Sequence, residues 1–334
     1  MMINQQKGLT LLELMIALSL GLLIVAAGTA VFLSGQRSLG LQGSMGELQQ
    51  NANFGLSMIT HDLRHANLNT PSTQKVNNKQ VGSGVIFTTA NLPSSLSKVN
   101  ASLLTGQAKD SDATTGNSDQ LTIQFIPEYQ VTTKKKCKQD KPNCTADADK
   151  EDVTIYTAKN VDCEGNRLEF DKVTTIVQRY HLKTDPNQID GQPTAYSLYC
   201  DAGYYQEGDT TITNMTVGAN GTQLMQRIDT FKVRLEVKDM NGKLRYMSIN
   251  DYLALMPVTV TDSKNYYNVV SVEIGLLARS TTPLNSEALI DNAKVFKIIG
   301  SDATLNDGQQ KGSKFLREVF SQVVAFRNTL GASS

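Results

Sequence analysis

A run of twenty residues without a charged side chain, from Leu14 to Leu33, dominates the first part of the sequence. At about 1.5 Å per residue, a helix of this length covers roughly 30 Å, the thickness of the hydrocarbon core of a bilayer. A short polar segment, MMINQQKG, precedes the run and carries one positive charge. The pattern therefore predicts one membrane-spanning helix close to the N-terminus.

Apolar residues continue beyond this run at intervals of three and four, the repeat of an amphipathic helix. They extend the predicted helix to about Asn67 and give its second half an apolar side that can pack on a folded domain. A polar stretch rich in Ser, Thr and Asn follows, and it predicts a long loop region with one short strand at 85–87. The repeating positions are Leu41, Met45, Leu48, Ala52, Leu56, Ile59, Leu63 and Ala66.

The second half of the chain shows the alternating pattern of β-strands. Asn241-Gly242 lies between two such segments and is the strongest short signal for a hairpin turn. The tail at 314–328 fits either an amphipathic helix or a strand. We therefore predict an α+β fold, with a long N-terminal helix packed on an antiparallel sheet. The strand patterns lie at 121–125, 153–156, 231–235 and 269–277.

The overall charge gives no reason to expect nucleic acid or an anionic membrane surface as a partner. Lys plus Arg number 32 and Asp plus Glu number 32, so the formal net charge is zero. With 334 residues, the chain is long enough to bury a substantial core. The Ser, Thr, Asn and Gly content of its middle part is typical of secreted β-rich domains.

The chain contains four cysteines, and no two of them form the short C-x-x-C spacing of a zinc site. After an export-type N-terminus, four cysteines favour two disulfides, for which three connectivities exist. We favour the sequential pairing, in which Cys137 bonds Cys144 and Cys163 bonds Cys200.

Glu13 stands at the edge of the apolar run, where a carboxylate costs a few kcal/mol in hydrocarbon unless it is paired. An ordinary signal peptide, cleaved near the small residues at 26–30, would not account for this residue, and neither would a plain membrane anchor. Glu13 follows Gly8 by five positions in the string KGLTLLELMIALSLGLLIV. This string resembles the class III signal, or prepilin N-terminal methylation motif, of type IV pilins.

The resemblance implies how the N-terminus is processed. A prepilin peptidase would cut between Gly8 and Leu9 on the cytoplasmic face and methylate the new N-terminus. Glu13 would then be the fifth residue of the mature chain. Its carboxylate would pair with the Leu9 α-amine of a neighbouring subunit, which removes both charge penalties and fixes the axial register between subunits.

Five further motifs lie downstream of the helix: DQLTIQF, VDCEG, YSLYC, VVSVEIGLLARS and VFSQVVAFRN. They resemble the PilW-type minor pilins. The resemblance implies a minor pilin that primes the assembly of type IV pili, enters them at the tip, and supports pilus extension, twitching motility, adhesion or DNA uptake. The implied partners are prepilin peptidase, other minor pilins, the major pilin, the inner membrane and a PilY-type tip adhesin, with nucleic acid not expected as a direct ligand.

The same resemblance gives the expected domain organisation and location. The protein would cross the inner membrane once, hold its domain in the periplasm, and later enter the pilus on the cell surface. A J-type pseudopilin of type II secretion shares this processing and fold, and it stays the main alternative. The expected parts are a leader at 1–8, a transmembrane helix half at 9–33, a periplasmic helix half at 34–68, a variable segment at 69–118 and a disulfide-bonded β-rich domain at 119–334.

Three polar motifs contain residues that could carry chemistry. His61 and His65 lie one helical turn apart, as in zinc hydrolases, but Asp62 replaces the usual glutamate and a third ligand is hard to find. A membrane-anchored metal hydrolase is therefore the lesser alternative. The Lys-rich segment at 134–141 and the acidic run at 147–152 are interpreted as solvated loops. We expect no enzymatic activity, no cofactor and no metal.

Replacement of Gly8 by valine should block processing, because the peptidase must approach the backbone closely at a position where a Cβ would intrude. Mass spectrometry of the wild-type protein should give a mature chain that begins at Leu9, and Gly8→Val should leave the precursor uncut. A mature chain that begins near Val31 would instead indicate a conventional signal peptide.

Overall fold

The computed structural model describes residues 10–71, 75–107, 118–138, 145, 149–217, 221–284 and 290–329. The chain divides into two compact units, Met1–Glu47 and Leu48–Ser334. One helix, α1 (Leu11–Leu63), supplies the described part of the first unit and the beginning of the second. The large apolar side chains between Leu11 and Leu33 are all exposed in the isolated chain.

The second unit is built from β-strands and two short helices, α2 (Ile249–Leu255) and α3 (Asp307–Lys311). The strands, in chain order, are β1 (Gly106–Gln107), β2 (Asp119–Phe125), β3 (Tyr129–Cys137), β4 (Lys150–Val161), β5 (Arg167–Phe170), β6 (Thr175–Thr184), β7 (Tyr196–Tyr205), β8 (Thr222–Gln226), β9 (Ile228–Lys238), β10 (Leu244–Ser248), β11 (Asn268–Arg279), β12 (Phe296–Ile298), β13 (Ser301–Ala303) and β14 (Arg317–Ala325).

All pairings between these strands are antiparallel, and they form four sheets. The largest sheet has five strands in the order β1-β2-β6-β7-β8, and the second has four in the order β10-β9-β11-β14. A three-stranded sheet, β3-β4-β5, and the hairpin β12-β13 complete the domain. Because parallel pairs are absent from the described strands, the domain needs no crossover helices, and this fits the α+β class.

The last four turns of α1 form part of the main hydrophobic core. Leu48, Leu56, Ile59 and Leu63 are buried together with apolar side chains from both large sheets. Gly55 lets the helix approach β8 closely, since a Cβ there would lie only 2.0 Å from Cγ of Met225. The apolar side that the sequence pattern predicts for this part of the helix is therefore the side that packs against the two large sheets.

The segment between α1 and β2 folds as a series of short turns. The strand expected at 85–87 is reduced to a single bridge between Val85 and Ile123. The side-chain oxygen of Asn91 accepts hydrogen bonds from the N–H groups of Phe87 and Thr88, at 2.9 and 3.2 Å, which holds this part of the chain in a turn. The 3-10 turns lie at Thr89–Asn91, Ser94–Leu96 and Ala101–Leu103.

A buried ionic cluster joins three strands of the four-stranded sheet. Asp229 on β9 is fully buried, and its Oδ2 accepts a hydrogen bond of 2.6 Å from Nε of Arg317 on β14. Nε of Arg279 on β11 lies 3.7 Å from Oδ1 of Asp229. Gln309 of α3 accepts hydrogen bonds of 3.0 Å from both arginines. The cluster therefore ties the C-terminal segment to the sheet.

Two local expectations can be compared with the structure. The hairpin turn at Asn241-Gly242 is confirmed, because it joins β9 to β10 and Gly242 has the left-handed φ of 83° that the turn requires. The tail, for which the sequence left helix and strand open, is strand β14 along β11.

Ile59→Ala should destabilise the domain strongly, because Ile59 is fully buried in the main core and its removal leaves a cavity. We expect a loss of about 2–5 kcal/mol in the free energy of unfolding. Phe54 lies on the same helix with 65% of its surface exposed, so Phe54→Ala should change stability by no more than about 0.5 kcal/mol. Urea titration of the detergent-solubilised chain, followed by tyrosine fluorescence, makes the comparison. Equal losses of stability for the two variants would contradict the burial of Ile59 in the core.

Candidate assembly site on the N-terminal helix

Helix α1 begins with a reciprocal capping arrangement between Thr10 and Glu13. The Glu13 Oε2 atom accepts hydrogen bonds from the backbone N–H and the hydroxyl of Thr10, at 2.9 and 3.0 Å. The Thr10 hydroxyl in turn accepts one from the backbone N–H of Glu13, at 3.3 Å. This is a capping box, which satisfies two of the four N–H groups that a helix start leaves free. A carboxylate in the first turn also lies at the positive end of the helix dipole.

The helix that follows has the length and composition of a membrane span. Its most apolar window has a mean hydropathy of 2.5, and it is the one such helix among the described residues. Gly8 and Leu9, the residues of the expected cleavage site, lie outside the described residues. The structure therefore places Glu13 at the start of the span, and the processing expected at Gly8–Leu9 stays a prediction.

The two histidines at the end of α1 are held by protein groups. The His61 Nδ1 atom lies 3.4 Å from Asp62, and Nε2 of His65 lies 3.2 Å from the side-chain amide of Asn160. Asp62 also accepts a hydrogen bond of 2.8 Å from the hydroxyl of Tyr180, and burial raises the pKa of this carboxyl. Within the described residues, no three His, Cys, Asp or Glu side chains come together as a metal site would require. The geometry favours a hydrogen-bonding role for this pair at the end of the helix.

The expectation that the lysine-rich segment and the acidic run are loops is wrong for their described residues, most of which lie in two paired strands, β3 and β4. Strand β3 carries Lys134, Lys135 and Lys136, and it pairs with β4 so that Lys135 lies opposite Asp152 and Lys136 opposite Glu151. Nζ of Lys134 lies 3.1 Å from Glu169 on β5. Opposite charges in cross-strand positions stabilise a sheet. Lys134 is thus paired within the domain, and Lys135 and Lys136 lie opposite acidic residues in the sheet.

A disulfide joins Cys163, just after β4, to Cys200 on β7, with 6.2 Å between the Cα atoms. It links the turn after the charged hairpin to a central strand of the five-stranded sheet. On the chain-entropy account, closing a loop of this size contributes about 4 kcal/mol. Cys137 is also disulfide-bonded, and its expected partner, Cys144, lies outside the described residues.

Next to Cys200, three polar side chains are buried without solvent. Arg179 and Asp201 form an ion pair at 3.1 Å. The ring nitrogen Nε2 of His181 lies 3.3 Å from Nη2 of Arg179. His181 must be neutral to accept this contact. Burial, and secondarily the Arg179 charge, lower the pKa of His181 to about 4.

Sequence reasoning missed Thr10 and the pairing of the charged runs. The Thr10 signal was present in the sequence, because Thr-x-x-Glu before an apolar run is the pattern of a capping box. The charge pairing carried no local signal, since it depends on the register of two strands that are distant in sequence.

Comparison with known families agrees with this architecture. Residues 179–328 match the family described as type IV pilus-assembly protein W, and residues 3–29 match the prokaryotic N-terminal methylation motif. A type IV-like pilin from Thermus thermophilus is similar over 68% of this chain and 85% of its own, at 14% identity and a TM-score of 0.25. A likeness that low carries no argument. Comparison with curated protein sequences gave no significant match.

An apolar N-terminal helix that carries the methylation motif and continues into the core of an antiparallel β domain defines a type IV pilin-like subunit. The C-terminal half of the β domain thus resembles the PilW family of type IV pilus-assembly proteins, and the N-terminus carries the methylation motif of a class III signal. These matches indicate a structural pilus component, and the apolar helix with its signal motif indicates membrane anchoring.

The neutral state of His181 should make the domain less stable in acid. The ordinary pKa of histidine is about 6.5, so the unfolded chain takes up a proton at His181 that the folded chain refuses until about pH 4. This contribution is complete above about pH 6.5 and is lost as the pH falls towards 4, by up to about 3 kcal/mol. The buried Asp62 and Asp201 carboxyls have raised pKa values and act in the opposite direction.

Comparison with His181→Gln isolates the histidine contribution from these carboxyls, from Arg179 and from Lys183. The free energy of unfolding of the wild type minus that of the variant should be lower at pH 4.5 than at pH 7.5, because only the wild type loses the His181 contribution in acid. A difference that is constant over this range would show that His181 does not titrate in this window.

Proposed function

We propose that this protein is a minor pilin that primes the assembly of type IV pili and is incorporated at the pilus tip with other minor pilins. The observation that carries the proposal is the position of Glu13, the one charged side chain between Thr10 and Leu33 of α1. The match of residues 179–328 to the PilW family supports a pilus role rather than a secretion role.

The intrachain bonds of Glu13 are compatible with pairing between subunits. Only one carboxylate oxygen, Oε2, accepts the bonds from Thr10, and a carboxylate can accept about four hydrogen bonds in all. The capping box holds the side chain at the helix start, where the N-terminal amine of a neighbouring subunit could meet Oε1. A charge-assisted bond of this kind would be roughly twice as strong as a neutral one.

The pairing would set the axial register between neighbouring subunits at the start of α1, which begins at Leu11. In the periplasm, the β domain would meet other minor pilins and a PilY-type adhesin, and so support extension, twitching, adhesion or DNA uptake.

Glu13→Ala and Glu13→Gln should weaken assembly without altering the β domain. Both variants remove the charge that would pair with a neighbouring amine, and both relieve a carboxylate in the bilayer, so membrane insertion should be unharmed. We expect fewer surface pili and less co-purification with partner minor pilins in a strain that carries only the variant.

Thr29→Ala is the matched control. Thr29 is a neutral polar residue of the same helix whose hydroxyl donates to the backbone oxygen of Ala26 at 2.9 Å. Its loss should leave piliation at the wild-type level. Normal piliation and normal association in both Glu13 variants would contradict the proposed role of this residue.

A further inference from the structure

A cavity of about 340 Å³ lies beside the turn that joins β4 to β5. Two aromatic rings line it, Phe170 of β5 and Tyr204 of β7, and their centroids lie 4.9 Å apart. The buried side chains of Ile176 and Ala202 add apolar surface. Small-molecule sites have volumes of about 300–1,000 Å³ and combine aromatic side chains with a few placed polar groups. The cavity therefore has the size and the ring surface to hold a small ligand.

Four polar side chains that line the cavity have unused hydrogen-bonding groups. Oε1 of Glu164 accepts a 2.9 Å bond from the N–H of Ala202, and its Oε2 accepts none among the described residues. Within the same part of the chain, the side chains of Arg167, Tyr204 and Asn214 make no hydrogen bond. A guanidinium only donates, a carboxylate only accepts, and a phenol or carboxamide does both. The cavity thus offers donors and acceptors next to its aromatic rings.

The charges around the cavity favour an uncharged ligand. The Glu169 carboxylate lies 3.1 Å from Nζ of Lys134, and Asp162 accepts three N–H bonds within its own turn. The two remaining charges that line the cavity, on Glu164 and Arg167, are of opposite sign. An anion would be repelled by the first and a cation by the second. A neutral ligand that carries hydroxyl groups can bind to both.

The lining residues are held in place by contacts within the domain. The disulfide after β4, together with the bond to Ala202, fixes the turn of Glu164 against β7. On the other side, Thr213 and Tyr204 exchange two backbone hydrogen bonds, at 3.1 and 2.8 Å, which hold Asn214 beside the same strand. A site that is ordered before binding loses less conformational entropy when the ligand enters.

We propose that this cavity binds one pyranose unit of a carbohydrate. The C–H groups on one side of the sugar ring pack against Phe170 and Tyr204, and its hydroxyls donate to Glu164 and accept from Arg167 and Asn214. A purely apolar ligand would leave these polar groups without partners, whereas a sugar supplies both donors and acceptors without a charge. The unit can come from a free sugar or from the end of a polysaccharide, since the chemistry of recognition is the same.

Saturation-transfer difference NMR of the full-length chain tests the proposal, in a detergent whose headgroup is not a sugar. The probes are the methyl glycosides of glucose, galactose, mannose and N-acetylglucosamine. Saturation should pass to the ring C–H protons of at least one of them. Tyr204→Leu keeps apolar volume but removes the ring, and it should lower the affinity at least tenfold. Tyr156→Leu is the matched control, because Tyr156 packs in the same sheet against Tyr129, at 5.8 Å, and does not line the cavity.

A second pair of variants avoids any change in packing. Arg167 is exposed and makes no hydrogen bond among the described residues, so Arg167→Ala should leave the fold intact and lower the affinity at least threefold. Lys172→Ala, which removes an exposed positive charge just after β5, should leave the affinity unchanged. Beads that carry dextran, galactan, mannan or chitin identify the source. Retention that the free glycoside reverses indicates a polysaccharide end, and glycoside binding without retention indicates a free sugar.

The absence of saturation transfer to all four glycosides would overturn the proposal. Wild-type affinity in both Tyr204→Leu and Arg167→Ala would also overturn it, because the sugar would then bind elsewhere. The proposal rests on this cavity and not on the role of Glu13. None of these readouts depends on piliation, so they are separate from the test of that residue.

Discussion

The burial of the last turns of α1 is the constraint on which the rest of the domain depends. Leu56, Ile59 and Leu63 contribute to one core that also contains side chains of the five-stranded and the four-stranded sheets. Both sheets have apolar side chains in this cluster, so the helix contributes to the burial of the inner face of each. The close approach at Gly55 shows that the contact is tight, since even a methyl group would collide with Met225.

The two parts of α1 are suited to two different environments, a lipid bilayer and the protein core. Between Leu11 and Leu33 its apolar side chains are exposed to whatever surrounds the chain, and a bilayer is the environment that such a surface requires. At its first turn the capping box of Thr10 and Glu13 satisfies N–H groups that hydrocarbon could not. At its other end, Asn328 donates to the oxygens of Arg64 and Ala66, at 3.2 and 3.0 Å. Both ends are thus satisfied by side chains.

The sequence predicted the features that depend on local pattern. The apolar run, the amphipathic continuation, the hairpin at Asn241-Gly242 and the four strands β2, β4, β9 and β11 follow from residue period and turn chemistry. The tail was ambiguous because its apolar residues fit both the helix repeat and the strand repeat. It forms a strand because it pairs with β11 over nine residues. The strand expected at 85–87 failed because Asn91 holds that segment in a turn. The Thr10 cap could have been predicted from its local sequence pattern. The pairing of Lys135 with Asp152 could not, since it depends on the register between two strands that are distant in sequence.

The distribution of charge over the edges follows from the same logic. In an antiparallel domain every sheet ends in two strands whose backbone groups are unpaired, and each must be protected or used. The lysines of β3 are opposed by the acids of β4, so this edge is stabilised by its own neighbour and still presents charge to any incoming strand. On β14 the charged residues Arg317 and Glu318 lie in the first half, where Arg317 bonds the buried Asp229. The charged residues of β14 thus lie in the half where Arg317 bonds the buried Asp229, and residues 321–325 are uncharged.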